Sequence, residues 1–159
     1  MTTIAYRNGI LAADSMITAG NRIVTSTNAT KIVRLSDGRL FGHCGQMRHM
    51  RPLVAYLEGK SDRYPDMEKD ATAIVIHPDG RVELHFGRHP DEAFAEDAEF
   101  YAIGSGSELA LGAMAVGATS IEAVHAAIRF DTCSGGDVKH LDLQQVRRLS
   151  AVGGVIASR

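Results

Sequence analysis

Thr2 follows Met1 and precedes Thr3. A small residue after an initiator methionine is the usual setting for removal of that methionine. Removal would leave a hydroxyl and a free α-amine on one residue. An α-amine has a pKa of about 7.7–8.0, so near neutrality part of it is unprotonated and can accept a proton. The adjacent hydroxyl, a weak nucleophile alone, can be activated by that amine. Many chains begin Met-Thr without catalytic meaning, so the pair needs support from other positions.

Other chemistries find less footing. The seven histidines show no HExxH and no paired ligand spacing, which argues against a metal site. There is no GxxxxGK[ST] and no GxSxG, so neither a P-loop nor a serine elbow is supported. Gly104-Ser105-Gly106 before a helix could hold an anion on backbone N–H groups, or simply turn the chain. The two cysteines, Cys44 and Cys133, are too few for a disulfide framework and suit a reducing compartment. A net charge of -2 with no basic block offers nucleic acid no electrostatic footprint. No apolar run is long enough to span a bilayer, and the start lacks the pattern of a signal peptide. The expectation is a cytoplasmic protein with no membrane or nucleic-acid partner.

These residues need elements to position them. Asn8-Gly9, Asp37-Gly38 and Asp79-Gly80 lie between apolar runs and predict tight hairpin turns. They pair residues 3–6 with 10–13, 32–35 with 40–43, and 73–77 with 81–86. A further strand is expected at 100–103. A helix is expected at 46–57, with Met47, Met50, Leu53, Val54 and Leu57 on one face. Pro52 there implies a kink or a late start. A second helix runs from about 107 to 116. A third begins at Thr119, where Thr119 and Glu122 form a capping-box pattern and Ile121, Val124 and Ile128 repeat at helical spacing. Stretches 59–70 and 87–99 read as polar loops or short surface helices, and the tail from 138 as mixed. At 159 residues, with 45% apolar and 23% charged residues, the chain suits one domain spanning 1–159. Strands followed by helices give an α+β layered fold.

Several segments, taken in order, resemble a known family. Thr2-Thr3-Ile4-Ala5, Ala12-Ala13-Asp14-Ser15, Thr30-Lys31-Ile32 and Gly42-His43-Cys44-Gly45 look like the first half of proteasome β subunits and bacterial HslV. Ala102-Ile103-Gly104-Ser105-Gly106 and Arg129-Phe130-Asp131-Thr132-Cys133-Ser134-Gly135-Gly136 resemble the second half. No single motif is specific; the ordered set from Thr2 to Gly136 carries the resemblance. It implies the four-layer α-β-β-α sandwich of N-terminal-nucleophile hydrolases and a threonine endopeptidase that needs no metal or organic cofactor.

The resemblance also implies roles. Thr2 matches the nucleophile, and its amine the base. Lys31 matches the lysine whose charge favours the alkoxide and the neutral amine; Asp14 matches the carboxylate that fixes that lysine. Gly45 matches the glycine whose N–H forms the oxyanion hole, where the missing Cβ lets substrate approach. Ser105, Asp131 and Ser134 match the outer set that hydrogen-bonds the N-terminus and its water. His43 and Met47 match positions lining the first specificity pocket, and Met47 suggests an apolar or mixed preference. Singly, each has an ordinary reading: Asp14-Ser15 a turn, Lys31 a surface lysine, Gly45 a strand cap, Asp131 and Ser134 a helix end. Cys44 and Cys133 beside site residues read best as small core hydrophobes.

The chain departs from the family in a shorter first hairpin, Thr3 to Asp14, and in its short overall length. While Met1 is attached, the Thr2 nitrogen is an amide without useful basicity. The implied partners are a polypeptide substrate, a homo-oligomeric ring and a ring ATPase unfoldase. Two other readings stay open: an unprocessed, inactive proteasome-like assembly protein, and an amidase of the same class acting on a small molecule.

Overall fold

A computed structural model describes residues 2–20, 22–25, 29–87, 94–96 and 99–144. The three turn dipeptides act as expected. β1 (Thr3–Arg7) turns through Asn8-Gly9 into β2 (Ile10–Asp14). Asn8 is the non-glycine residue at positive φ in that turn, a conformation asparagine tolerates. β3 (Ile17–Ala19) and β4 (Arg22–Thr25) pair as a small two-stranded ribbon. β5 (Ile32–Arg34) and β6 (Leu40–Cys44) form the second hairpin, β7 (Thr72–Ile76) and β8 (Val82–Phe86) the third.

Two features refine the expected first helix. A 3-10 turn spans Met47–His49, and α1 proper runs Met50–Leu57. Pro52 therefore sits in the first turn of α1, where its missing N–H costs no intrahelical bond. This is the late start that Pro52 implied. After β8, the stretch expected as a polar loop contains β9 (Phe94–Glu96), which pairs with β8. Then follow β10 (Phe100–Gly104), α2 (Ser107–Ala115) and α3 (Ser120–Phe130). The Thr119–Glu122 capping box is formed, satisfying two backbone donors at the start of α3. The mixed tail begins with a strand, β11 (Val138–Asp142); its last fifteen residues lie outside the described ones.

One sheet has the order β10-β1-β2-β11, the other β5-β6-β7-β8-β9, with antiparallel neighbours in both. Alternation along the strands sends their residues into separate apolar clusters. Ile4, Leu11 and Ala13 of the first sheet pack against Ile32, Leu40, Ile74 and Leu84 of the second. On the other side of the second sheet, Phe41, Ala73 and Val75 pack against Met50 and Leu53 of α1. On the other side of the first, Ala5, Ala12 and Ala102 receive Ala110, Met114, Ala123 and Val124 from α2 and α3. Small alanines on the strands let the helices approach closely. Among the described residues no helix is long and apolar enough to cross a membrane.

Register brings the chemistry-bearing positions together. Thr3 at the start of β1 pairs with Gly104 at the end of β10. Asp14 at the end of β2 pairs with Val138 at the start of β11. The residues flanking these strand ends, Thr2, Ser105 and Ser134, converge on the same rim.

Candidate active site

Asp14 is the hub of that rim. It is 1% exposed, and its carboxylate accepts bonds from five donors. Oδ1 receives the Thr2 hydroxyl at 2.5 Å, the Lys31 ammonium at 2.8 Å and the Thr3 backbone N–H at 2.9 Å. Oδ2 receives the backbone N–H groups of Gly135 at 3.0 Å and Met16 at 3.3 Å. A carboxylate so held cannot swing, which fixes the lysine relative to Thr2. Lys31 is itself buried, reached through β5 at the edge of the second sheet. Burial lowers its pKa below the usual lysine value, and the charge and hydrogen bond of Asp14 only partly restore it.

A second set of hydroxyls backs the first. Ser134 donates to Asp131 Oδ2 at 2.6 Å, and Ser105 donates to the same oxygen at 2.7 Å. The Thr3 hydroxyl lies 2.6 Å from Ser134. Since the one hydrogen of Ser134 goes to Asp131, Thr3 is the donor in that contact. Ser105 also lies 3.3 Å from the Thr2 carbonyl oxygen. Burial raises the pKa of Asp131, but the hydroxyls of Ser134 and Ser105 and the Cys133 N–H outweigh it and leave the pKa below the ordinary aspartate value.

Gly104 and Gly45 open the site. Gly104 has φ +98, and a Cβ there would run into the Thr2 carbonyl oxygen, so only glycine fits. Gly45 has φ +150 and follows β6 on the exposed side of the rim. Thr2, Lys31, His43, Gly45, Met47 and Ser105 all line one cavity of about 820 Å³. Asp131 and Ser134 stand behind its wall.

No family model matches the sequence, and no curated protein does. Solved structures share its fold. BPH of Thiobacillus denitrificans in complex with epoxomicin superposes with a TM-score of 0.65 at 21% identity, covering 89% of this chain and 98% of that one. A second structure of the same BPH gives 0.64 at 20%, covering 89% and 97%. Eukaryotic HslV from Trypanosoma brucei gives 0.66 at 22%, covering 89% and 98%. The chain has the HslV fold. That agrees with the resemblance carried by its ordered motifs.

On this HslV fold, Thr2, Lys31, His43, Gly45, Met47 and Ser105 line the cavity, Asp14 lies against Thr2 and Lys31, and Asp131 and Ser134 connect to it through Ser105 and Thr3. Some contributors escaped the sequence reading. Thr3, the backbone N–H groups of Met16 and Gly135, and the close approach of Gly104 are all needed to complete the network. Gly104 and Gly135 stood inside quoted motifs, but nothing in their spacing says which donor meets Asp14. Cys44 is largely buried between the sheets, where it also borders the cavity, and burial pushes its thiol pKa far up. It is a core residue rather than a nucleophile.

Proposed function

We propose that this chain is a threonine peptidase of the HslV and proteasome β-subunit family, acting through Thr2 after loss of Met1. It is one N-terminal-nucleophile domain with a four-layer α-β-β-α sandwich, a reading supported by the three apolar clusters. The observation that carries the function is the shared oxygen: the Thr2 hydroxyl and the Lys31 ammonium on Asp14 Oδ1, at the edge of a large cavity.

The chemistry is acyl transfer. The freed Thr2 amine takes the hydroxyl proton as Thr2 Oγ1 attacks a peptide carbonyl. Lys31 stabilises the negative charge on Oγ1 before the bond forms. The Gly45 N–H receives the oxyanion of the tetrahedral intermediate. The Thr2 ammonium then protonates the leaving amine, and water hydrolyses the ester. Asp14 fixes Lys31, while Ser105, Asp131 and Ser134 hold the backbone around Thr2. His43 and Met47 line the pocket for the residue before the cleaved bond.

In this reading the substrate is a polypeptide and the working form a homo-oligomeric ring in the cytoplasm, by the resemblance to HslV. Strongly exposed Val116 and Phe130 on the α2–α3 side offer apolar surface to a neighbouring copy. The test of the function is intact mass with and without epoxomicin. Loss of one methionine and gain of one adduct on Thr2 supports it. A chain that keeps Met1 and takes no adduct would instead point to an unprocessed assembly protein.

A further inference from the structure

The Thr3 hydroxyl is a polar group to which the proposed mechanism gives no task. Thr3 is fully buried, and its backbone N–H is fixed on Asp14 Oδ1 at 2.9 Å. Its hydroxyl lies 2.6 Å from Ser134 Oγ, which in turn lies 2.6 Å from Asp131 Oδ2. Gly106 makes room for it: a Cβ there would run into the Thr3 hydroxyl oxygen. Proton counting fixes the direction of this chain of bonds. An ionised carboxylate only accepts, so Ser134 donates to Asp131 and Thr3 donates to Ser134. Ser134 Oγ has then given away its one hydrogen and filled one of its two acceptor positions. What it can still offer is a single acceptor position.

Ser134 belongs to the set around the amino end of the chain. Asp131 Oδ2 also takes the Ser105 hydroxyl at 2.7 Å, and Ser105 lies 3.3 Å from the Thr2 carbonyl oxygen. Burial raises the pKa of Asp131, but the Ser134 and Ser105 hydroxyls, the Cys133 N–H and the positive charge of the amino terminus outweigh it. Asp131 thus stands ionised near the amino end, and a negative charge favours the charged form of an amine beside it. The other titratable groups around Thr2 are Asp14 at the end of β2, Lys31 before β5, and His43 and Cys44 at the end of β6. Lys31 and Asp14 hold each other at 2.8 Å. His43 and Cys44 are uncharged near neutrality, since burial lowers the imidazole pKa to about 4 and pushes the thiol far up. β1 and β10 place Thr3, Gly104 and Ser105 there, which do not titrate.

From this geometry we infer that Thr3 is a positioning residue: by filling one acceptor position of Ser134, its hydroxyl weakens the hold of Ser134 on the charged form of the amine that loss of Met1 frees on Thr2. The inference rests on the peptidase reading given above, with Ser134 matched to the set that hydrogen-bonds the N-terminus, and it names a further residue for that reaction. An ammonium is a stronger donor than an amine, so an acceptor beside it favours the charged form. An oxygen that already accepts from Thr3 does so less. The amine must be neutral to take the Thr2 hydroxyl proton. Thr3 thus offsets part of the pull of Asp131 and keeps the base available.

The test uses residues 2–159 released by cutting a fusion directly before Thr2, so that the amine is present whatever becomes of Met1. With ¹³C-labelled threonine, the Thr2 Cα resonance follows the amine titration and needs no turnover. Thr3→Val keeps the shape and loses the hydroxyl. It should move the titration midpoint up by about 0.5–1 pH unit, the scale of one hydrogen bond. Thr3→Ser should titrate like wild type. In a Ser134→Ala background Thr3→Val should move nothing, because the oxygen it acts through is gone. The acid limb of kcat/KM on a blocked peptide aminocoumarin amide should follow the same order. A merely structural Thr3 would lower the melting temperature, and the rate at every pH, with the midpoint in place. An unmoved or lowered midpoint in Thr3→Val, a serine protein that behaves like the valine one, or a shift that persists without Ser134 would overturn the inference. Thr3→Ala gives the same readout should the valine protein not fold. Should wild-type protein cleave no peptide, the peptidase reading fails and the titration alone decides: the upward shift through Ser134 upholds the role of Thr3, its absence overturns it.

Discussion

The Thr3 hydroxyl lies 2.6 Å from the Ser134 hydroxyl, across 131 positions of sequence. The contact ties the start of β1 to the loop after α3, and through Ser134 to Asp131. Ser134→Ala leaves the buried Thr3 donor without its acceptor and removes one donor from Asp131. The expected cost is about 1–3 kcal/mol, read as a fall in the urea midpoint. A neutral result would mean the contact does not hold the strand start.

Thr2→Ala removes the proposed nucleophile and one of five donors to Asp14. Turnover should be lost while the fold survives, because four donors still hold the carboxylate. Peptidase activity in a Thr2→Ala protein, with circular dichroism unchanged, would exclude Thr2 as nucleophile.

Lys31 and Asp14 form a buried pair, and removing one partner strands the other. Lys31→Met and Asp14→Asn are each expected to destabilise by roughly 3–5 kcal/mol. The double variant should lose less than the sum, since neither charge then remains buried alone. Strict additivity in a denaturant series would show that the two do not interact energetically.

The lysine also sets a pH dependence. Its folded pKa is lowered by burial, so the folded protein releases this proton before the unfolded chain does. The rate should fall on the alkaline side with a midpoint below the ordinary lysine value of 10.5. Stability moves the other way in the window between the folded and unfolded values: the folded form binds fewer protons there, so stability rises with pH. A profile of kcat/KM beside thermal melts, from pH 7 upward, separates the two. An alkaline limb centred above 10.5 would remove Lys31 from the rate.

His43 contributes an acid limit to stability. Its folded value of about 4 lies below the ordinary histidine value of 6.5, so the unfolded chain takes up the proton first as pH falls. Stability is fully present above pH 6.5 and declines toward pH 4, by about 3 kcal/mol at most. His43→Leu should flatten that decline in urea titrations at pH 6.5, 5.5 and 4.5.

The elements that place the site were legible because their signals are local. Asn8-Gly9, Asp37-Gly38 and Asp79-Gly80 state their turns in two residues, and Thr119 with Glu122 states a helix start in four. The β3–β4 ribbon is hard to see although Gly20-Asn21 sits between its strands, because those strands are only three and four residues long; β9, three residues long, has no such punctuation. Val138–Asp142 reads as mixed because its pattern does not alternate cleanly; it becomes a strand because β2 offers it an edge. The site residues were recognisable as a set through ordered motifs. Their connections were not, because a bond such as Gly135 N–H to Asp14 depends on which strand ends meet. The unpaired state of His43 could not be read at all, since burial and the lack of a partner are properties of the packed sheet.

The grip on Asp14 has a consequence for timing. Lys31, Thr3, Gly135 and Met16 hold that carboxylate from within the folded domain, and none of those four bonds uses the α-amine of Thr2. The machinery is thus assembled before the amine is released. In the proposed function, loss of one methionine would then add a single missing base to a finished framework, so that maturation would work as a latch on an already folded domain rather than as a step in its folding.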